Sequence, residues 1–526
     1  MTTGLTYSVA LDGVTGRVVT IEADISDGVP GWSLSGLPDT CVTEARDRCR
    51  AAMINSQHSW PDRRITVAMY PADVRKVGSH YDLAIALALL MAKQALPGDA
   101  LRSTAVFGEL ALDGRLRGVP GVLPAVLAAG ETGLTRVIVP EVNVAEACLV
   151  PGLEVVGVRS LRECLALLTG EDYVDDESPM PLHVAGDAWQ PVRRSRWDEA
   201  DLADVRGQAQ ARRSVEVAAA GGHHLFLQGP PGAGKTMLAE RFPRLLPDLE
   251  LAAAIEVSKI HSLAGLLSRE DPLIVRPPFL APNHTDTVPS VVGGGARVIR
   301  PGAISLAHLG VLFLDEAPEF KPTVHDALRQ PLESGEISIR RAEGAAKFPA
   351  RFQLILAANP CPCGGGSGKS HCRCGSVVTH RYQQRVSGPV RDRIDIVHSV
   401  LPVTRSEMRQ PVPAEGTTAA VAARVQRARE RQRHRYRDTP WVTNSEVPGY
   451  EFRRLCPLDR EAMELIEDAV ADGRLTQRGA DRVARMAWSV ADLSSDERPS
   501  RVHVHEALFL RSDGELGESF PGRWVA

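Results

Sequence analysis

The chain has 526 residues, 44% hydrophobic and 24% charged, enough for two to four domains with ordinary cores. A net charge of −4 excludes a strong global field toward nucleic acid or lipid, so any nucleic-acid surface has to be local. No apolar run reaches the ~18 residues of a membrane span, and no charged-then-apolar leader opens the chain. Nine cysteines, four of them within fourteen residues, fit a reducing cytoplasm better than a disulfide framework.

Residues 1–168 are expected to form one α/β domain. Strand-like runs at 7–11, 17–25, 64–70 and 137–140 alternate with helical patterns at 81–96 and 123–131. Residues 169–197 turn from acidic to Pro-containing to basic without periodicity and read as a linker. Across 198–402, apolar runs end in polar punctuation (HLFLQG, VLFLDE, FQLILAANP), the pattern of buried parallel strands with a site at their C-terminal ends. Residues 403–440 hold a connector and an Arg-rich helix, and 441–526 read as a helical lid. The expected class is α/β with a parallel-sheet core and helical C-terminus.

The strand at 223–228 runs into GPPGAGKT (Gly229, Pro230, Pro231, Gly232, Ala233, Gly234, Lys235, Thr236) and then a helix. Glycines let backbone N–H groups turn inward around phosphate oxygens, and the helix start adds a positive dipole end. Lys235 is expected to reach the β- and γ-phosphates of ATP, and Thr236 to ligate Mg²⁺. The VLFLDE strand ends in Asp315, a second Mg²⁺ holder, and Glu316, a general base for the attacking water. The strand at 352–359 ends in Asn359, which either orients that water or merely caps the strand.

Cys361 and Cys363 are followed by Cys372 and Cys374, eight residues on. Four thiolates in two pairs predict a tetrahedral structural Zn²⁺, with His371 as a substitute ligand; four reduced thiols on a loop are the alternative. The helix at 423–438 carries seven arginines and Tyr436, which either contact phosphates and a base or form a solvated face. Only seven of the 61 basic residues are lysines, so single arginines weigh little here.

The order of phosphate loop, hhhhDE strand, strand-Asn and SGPVRDRID resembles the AAA+ ATPases of the Mg-chelatase-like ComM/YifB group. EVSKIHSLAG, PNHTDTVPSVVGGG, PGAISLAHLGVLFLDEAPEF, ALRQPLESGEISIRRA and AANPCPCG add to it. The resemblance implies an AAA+ core with inserted hairpins, assembly as a ring hexamer, and ATP-driven movement on single-stranded or branched DNA during uptake and recombination. It implies Arg393 as an arginine finger acting on a neighbour's nucleotide and Arg478 as the sensor-2 arginine, with Arg482 a substitute. Inserted loops carrying Arg297, Arg300, Arg340, Arg341 and Lys347 are implied DNA contacts. Ala303 departs from the Glu usual in relatives.

Residues 71–90 and 107–143 resemble the proteolytic domain of Lon. That chemistry needs a Ser nucleophile and a Lys base. The resemblance places His80 at the Ser position and Leu123 at the Lys position, with Ser79 adjacent to the former. The expectation is a non-catalytic domain of that fold. Two other functions stay open: a chelatase-type ATPase remodelling a protein partner for Mg²⁺ insertion, and a Lon-like peptidase.

Overall fold

Alternating apolar residues make residues 4–26 a long antiparallel hairpin. Strands β1 (Gly4–Asp12) and β2 (Thr15–Ser26) pair from Gly4↔Ala23 to Asp12↔Thr15. The computed structural model describes residues 3–173, 200–295, 299–341, 344–364 and 372–512. Most of the expected linker, Arg297 and His371 lie outside the described residues.

The hairpin joins β3 (Gly31–Ser35), β4 (Arg64–Tyr70), β5 (Thr104–Val106), β6 (Arg136–Pro140) and β7 (Glu154–Val158) in a mixed sheet ordered β3-β4-β2-β1-β5-β6-β7. The period of two along each strand sends neighbours to opposite faces. Ala10, Val106 and Ile138 enter the core holding helix α1 (Asp82–Ala92), while Val9, Ala105, Val137 and Val139 enter the core holding α2 (Val122–Glu131). Helices therefore cover both faces. His80 donates its Nε2–H to the Val9 carbonyl (2.9 Å), and burial pushes its pKa down to about 4. Ser79 Oγ bonds Glu109, and Leu123 is wholly buried.

After α3 (Ala209–Gly221), five parallel strands build the second sheet. They are β8 (Leu225–Gln228), β9 (Phe279–Leu280), β10 (Val311–Leu314), β13 (Gln353–Ala358) and β14 (Ile396–Ser399), in the order β9-β10-β13-β8-β14. β10 and β13 are buried along their whole length, as expected of strands covered on both faces. Between them in sequence stand α4 (Lys235–Arg241), α5 (Leu251–Ala264), α6 (Pro322–Ser334) and the hairpin β11 (Glu336–Arg341) and β12 (Gly344–Pro349). Helices α7 (Ser376–Gln383), α8 (Thr418–Arg435), α9 (Arg460–Ala471), α10 (Gln477–Ser494) and α11 (Arg501–Ser512) follow. The C-terminal helices share one core with β8: Leu225, Leu227, Val425, Val483, Met486 and Leu508 all belong to it.

The two sheets meet through specific contacts. Ser262 of α5 accepts the Gly121 N–H at its carbonyl (2.9 Å) and donates its hydroxyl to Glu146 (2.8 Å). The β1–β2 turn leans on β12 so closely that a methyl group at Gly13 would stand 2.4 Å from the Lys347 carbonyl oxygen.

Candidate nucleotide site

The sheet order explains how distant residues converge. β8 and β13 are adjacent and parallel, with Gln228 opposite Ala358, so the residues just beyond them lie side by side. β10 flanks β13 on its other edge, with Leu314 opposite Leu356. The loop after β8, Asn359 after β13 and Asp315 after β10 thus gather at one end of the sheet, where open α/β sheets carry their sites.

Lys235 is buried at the start of α4. Its ammonium donates to Gly229 O (2.7 Å), Pro230 O (3.0 Å) and Asn359 Oδ1 (3.1 Å). Burial lowers its pKa, while Asp315 and Glu316 oppose that shift. Gly232 and Gly234 hold φ of +76° and +95°, left-handed values open to glycine that curl the loop. Pro231 lies at the loop's exposed tip, and Ala233 is held from outside: its carbonyl accepts from Gln208 Nε2 (2.6 Å), which also reaches Leu401 O (3.1 Å). Sequence reading missed Gln208, because nothing in RGQAQ announces a contact 25 residues ahead.

Thr236 Oγ1 donates to Asp315 Oδ2 (2.7 Å), so the hydroxyl and the carboxylate expected to hold Mg²⁺ are already side by side. A hydroxyl and a carboxylate are the hard oxygen donors this cation takes, so the residues fit it. Glu316 has φ +51°, uncommon for a residue with a Cβ, and its N–H donates to Asp315 Oδ1 (2.9 Å). Its own carboxylate pairs elsewhere, with His284 Nδ1 at 3.4 Å. His284 was not singled out from the sequence: its partner is 32 positions away and on no common element.

Arg393 sits beyond the short helical turn Gly388–Arg391. It donates to Pro389 O (3.0 Å) and pairs with Glu333 at the end of α6. Partial burial and the charges of Arg482, Arg478 and Arg329 push its pKa down. The two sensor-2 candidates differ. Arg482 is committed to Asp395 Oδ1 and Ile394 O, both at 3.0 Å, whereas Arg478 is exposed in the first turn of α10.

The other sequence candidates separate clearly. Arg424 bonds Glu216, Arg429 bonds Ala219 O and Gln353, and Arg435 grips Asp492 while lying 4.3 Å from the Trp488 ring centre. Tyr436 is buried against Asn444 and Cys456. One side of this helix is thus tied into the fold while Arg427 and Arg437 stay exposed, so it is only partly the solvated face weighed from its composition, and Tyr436 is too buried to stack on a base. On the β11–β12 hairpin, by contrast, Ile337, Ile339, Ala346 and Phe348 face inward while Arg340 and Lys347 are exposed. Arg300 is exposed too; the side chain of Arg341 lies outside the described residues. Ala303 is fully buried among apolar neighbours. Cys361, Cys363, Cys372 and Cys374 bring their sulfurs within 4.8 Å of one another, just past Asn359.

Comparison with known proteins agrees with this layout. Residues 201–408 match the family model for magnesium chelatase, subunit ChlI; residues 21–143 match that for subunit ChlI of Mg-chelatase; residues 415–511 match the ChlI C-terminal model. An uncharacterized protein of Mycobacterium tuberculosis is 47% identical over 98% of this chain and 99% of its own. The uncharacterized protein YifB of Escherichia coli is 40% identical over 98% of each chain. Competence protein ComM of Haemophilus influenzae is 39% identical over 97% of this chain and 98% of its own.

Proposed function

This chain belongs to the Mg-chelatase-like ComM/YifB family of AAA+ proteins, and from that premise we propose an ATP-hydrolysing motor that assembles as a ring, most simply a hexamer, and moves on single-stranded or branched DNA. The observation that carries the reading is the convergence of Lys235, Asn359, Thr236, Asp315 and Glu316 on the ends of three parallel strands.

In this reading the loop amides and the Lys235 ammonium bind the β- and γ-phosphates of ATP. Thr236 and Asp315 hold Mg²⁺, which screens phosphate charge when bound. Glu316 takes the proton of the attacking water, and His284 fixes the direction of its carboxylate. Asn359 shares Lys235, so it registers whether that ammonium is held by the loop or by a phosphate. Arg393, in trans, and Arg478, from the C-terminal helices, supply positive charge as the γ-phosphate departs.

The DNA assignment draws on the exposed Arg340 and Lys347 of an otherwise apolar-backed hairpin and on a relative called a competence protein. Phosphate contacts of this kind track a backbone without reading sequence. The chelatase-type reading, a protein partner remodelled for Mg²⁺ insertion, is favoured by the descriptions of the matching family models. ATPase rates with and without single-stranded and forked DNA separate the two. Stimulation lost in Arg340→Ala/Lys347→Ala supports the DNA motor; a rate indifferent to DNA favours the protein partner.

A further inference from the structure

The four cysteines beyond Asn359 serve no step of ATP hydrolysis, yet they are gathered. Cys361 Sγ lies 3.4 Å from Cys363 Sγ and 3.6 Å from Cys372 Sγ, and Cys363 and Cys372 are 3.7 Å apart. These separations are far longer than the roughly 2.05 Å of a disulfide. A tetrahedral zinc with Zn–S bonds of about 2.3 Å sets its sulfurs about 3.8 Å apart. All four sulfurs lie within 4.8 Å of one another, close to such a tetrahedron. Cys361 is buried and Cys363 exposed, so the cluster has a floor in the fold and an opening to solvent.

Its position gives it a second meaning. Asn359, two residues before Cys361, accepts a hydrogen bond from Lys235. Pro360 O accepts from Gln383 Nε2 (3.2 Å) at the end of α7, the helix that begins two residues after Cys374. Gly364, one residue after Cys363, touches the phosphate loop: a methyl group there would come 2.6 Å from Pro231 Cγ. We propose that Cys361, Cys363, Cys372 and Cys374 bind one structural Zn²⁺, and that this ion holds the strand end carrying Asn359 against the phosphate loop. The thiol protons pass to solvent on loading. Ion loss frees the segment after Asn359, so nucleotide affinity falls with it; this second statement, unlike the first, rests on the ATP-binding reading.

The test uses the whole chain, untagged and purified under reductant without chelator. Elemental analysis gives about one zinc per chain. Chelator-stripped protein titrated with Co²⁺ develops thiolate-to-cobalt charge-transfer absorption and the strong visible bands of a tetrahedral site, bleached by one equivalent of Zn²⁺. Cys363→Ser/Cys372→Ser abolishes both the zinc and the cobalt spectrum; if that variant fails to fold, the wild-type cobalt spectrum decides. Stripped protein binds a fluorescent ATP analogue about tenfold more weakly, the worth of one charge-assisted hydrogen bond, and zinc restores it. Protein isolated metal-free or loaded with iron, or a weak octahedral cobalt spectrum, overturns the zinc site. Equal nucleotide affinity of stripped and loaded protein overturns the coupling. A chain that binds zinc but no nucleotide refutes the ATPase reading and leaves the metal site standing.

Discussion

Lys235→Ala tests the phosphate site most directly. An ammonium has three donors, and here all three are spent within the protein, on Gly229 O, Pro230 O and Asn359 Oδ1. An arriving phosphate therefore exchanges a neutral acceptor for a charged one. The net gain is that of one charge-assisted bond, about 1.5–3 kcal/mol rather than the sum of three. Truncation should then weaken ATP binding by about 10- to 150-fold. Removing the ammonium leaves three acceptors without their donor, and Gly229 is buried, so the fold should lose about 1–3 kcal/mol. Fluorescent-nucleotide titration gives the affinity and urea unfolding the stability. Lys235→Arg should fail alongside Lys235→Ala, since a planar guanidinium does not suit this compact buried site. Affinity within about threefold of wild type in Lys235→Ala would refute the assignment of this lysine to phosphate.

Four further outcomes are expected. Glu316→Gln should retain ATP and stop turnover, and His284→Ala should lower kcat by about tenfold or less with unchanged ATP affinity, because it orients the base without replacing it; single-turnover and binding assays separate the two effects, and full turnover by Glu316→Gln sinks the base assignment. Arg393→Ala and Glu316→Gln subunits, each inactive alone, should regain part of the ATPase rate when mixed, since an Arg393→Ala subunit keeps its base and borrows its neighbour's finger; no recovery despite demonstrated co-assembly counts against a finger in trans. Burial raises the Glu146 pKa to about 6 against an unfolded value near 4.5, so its contribution to stability is full below pH 4.5 and is lost as pH rises through about 6. Glu146→Gln should therefore gain on wild type between pH 5 and pH 8 in urea midpoint, and a constant difference would contradict the shift.

Much of the geometry of the candidate nucleotide site was legible because its parts are local. GPPGAGKT needs only a strand before it and a helix after it, and β8, β10 and β13 are unbroken apolar runs that fell within a residue or two of their expected limits. What escaped depends on pairing across the chain. The edge strand β14 is short and interrupted by His398, and only its register with β8 makes it a strand. His284 and Gln208 acquire meaning from partners on other segments. The Arg-rich helix misled for the same reason: its counter-charges, Glu216 and Asp492, lie on α3 and α10, so a run that looked hydrated is half internal. Residues 31–35, with glycine and two serines, carried too little β-branched character to announce β3.

The turn at Gly13 has a mechanical consequence. The hairpin that presents Arg340 and Lys347 is not a free finger, because the first sheet presses on the backbone of β12 at Lys347. A force arriving at its exposed face is thus shared between two cores: through Ile337 and Phe348 into the nucleotide sheet, and through Gly13 into the seven-stranded one. In the motor reading proposed above, the amino-terminal sheet then serves as a buttress that shortens the lever arm of the hairpin. Enlarging residue 13 would pry that support away at a point remote from Lys235 and Asp315, and in the same reading it would loosen the hairpin without touching the candidate phosphate site.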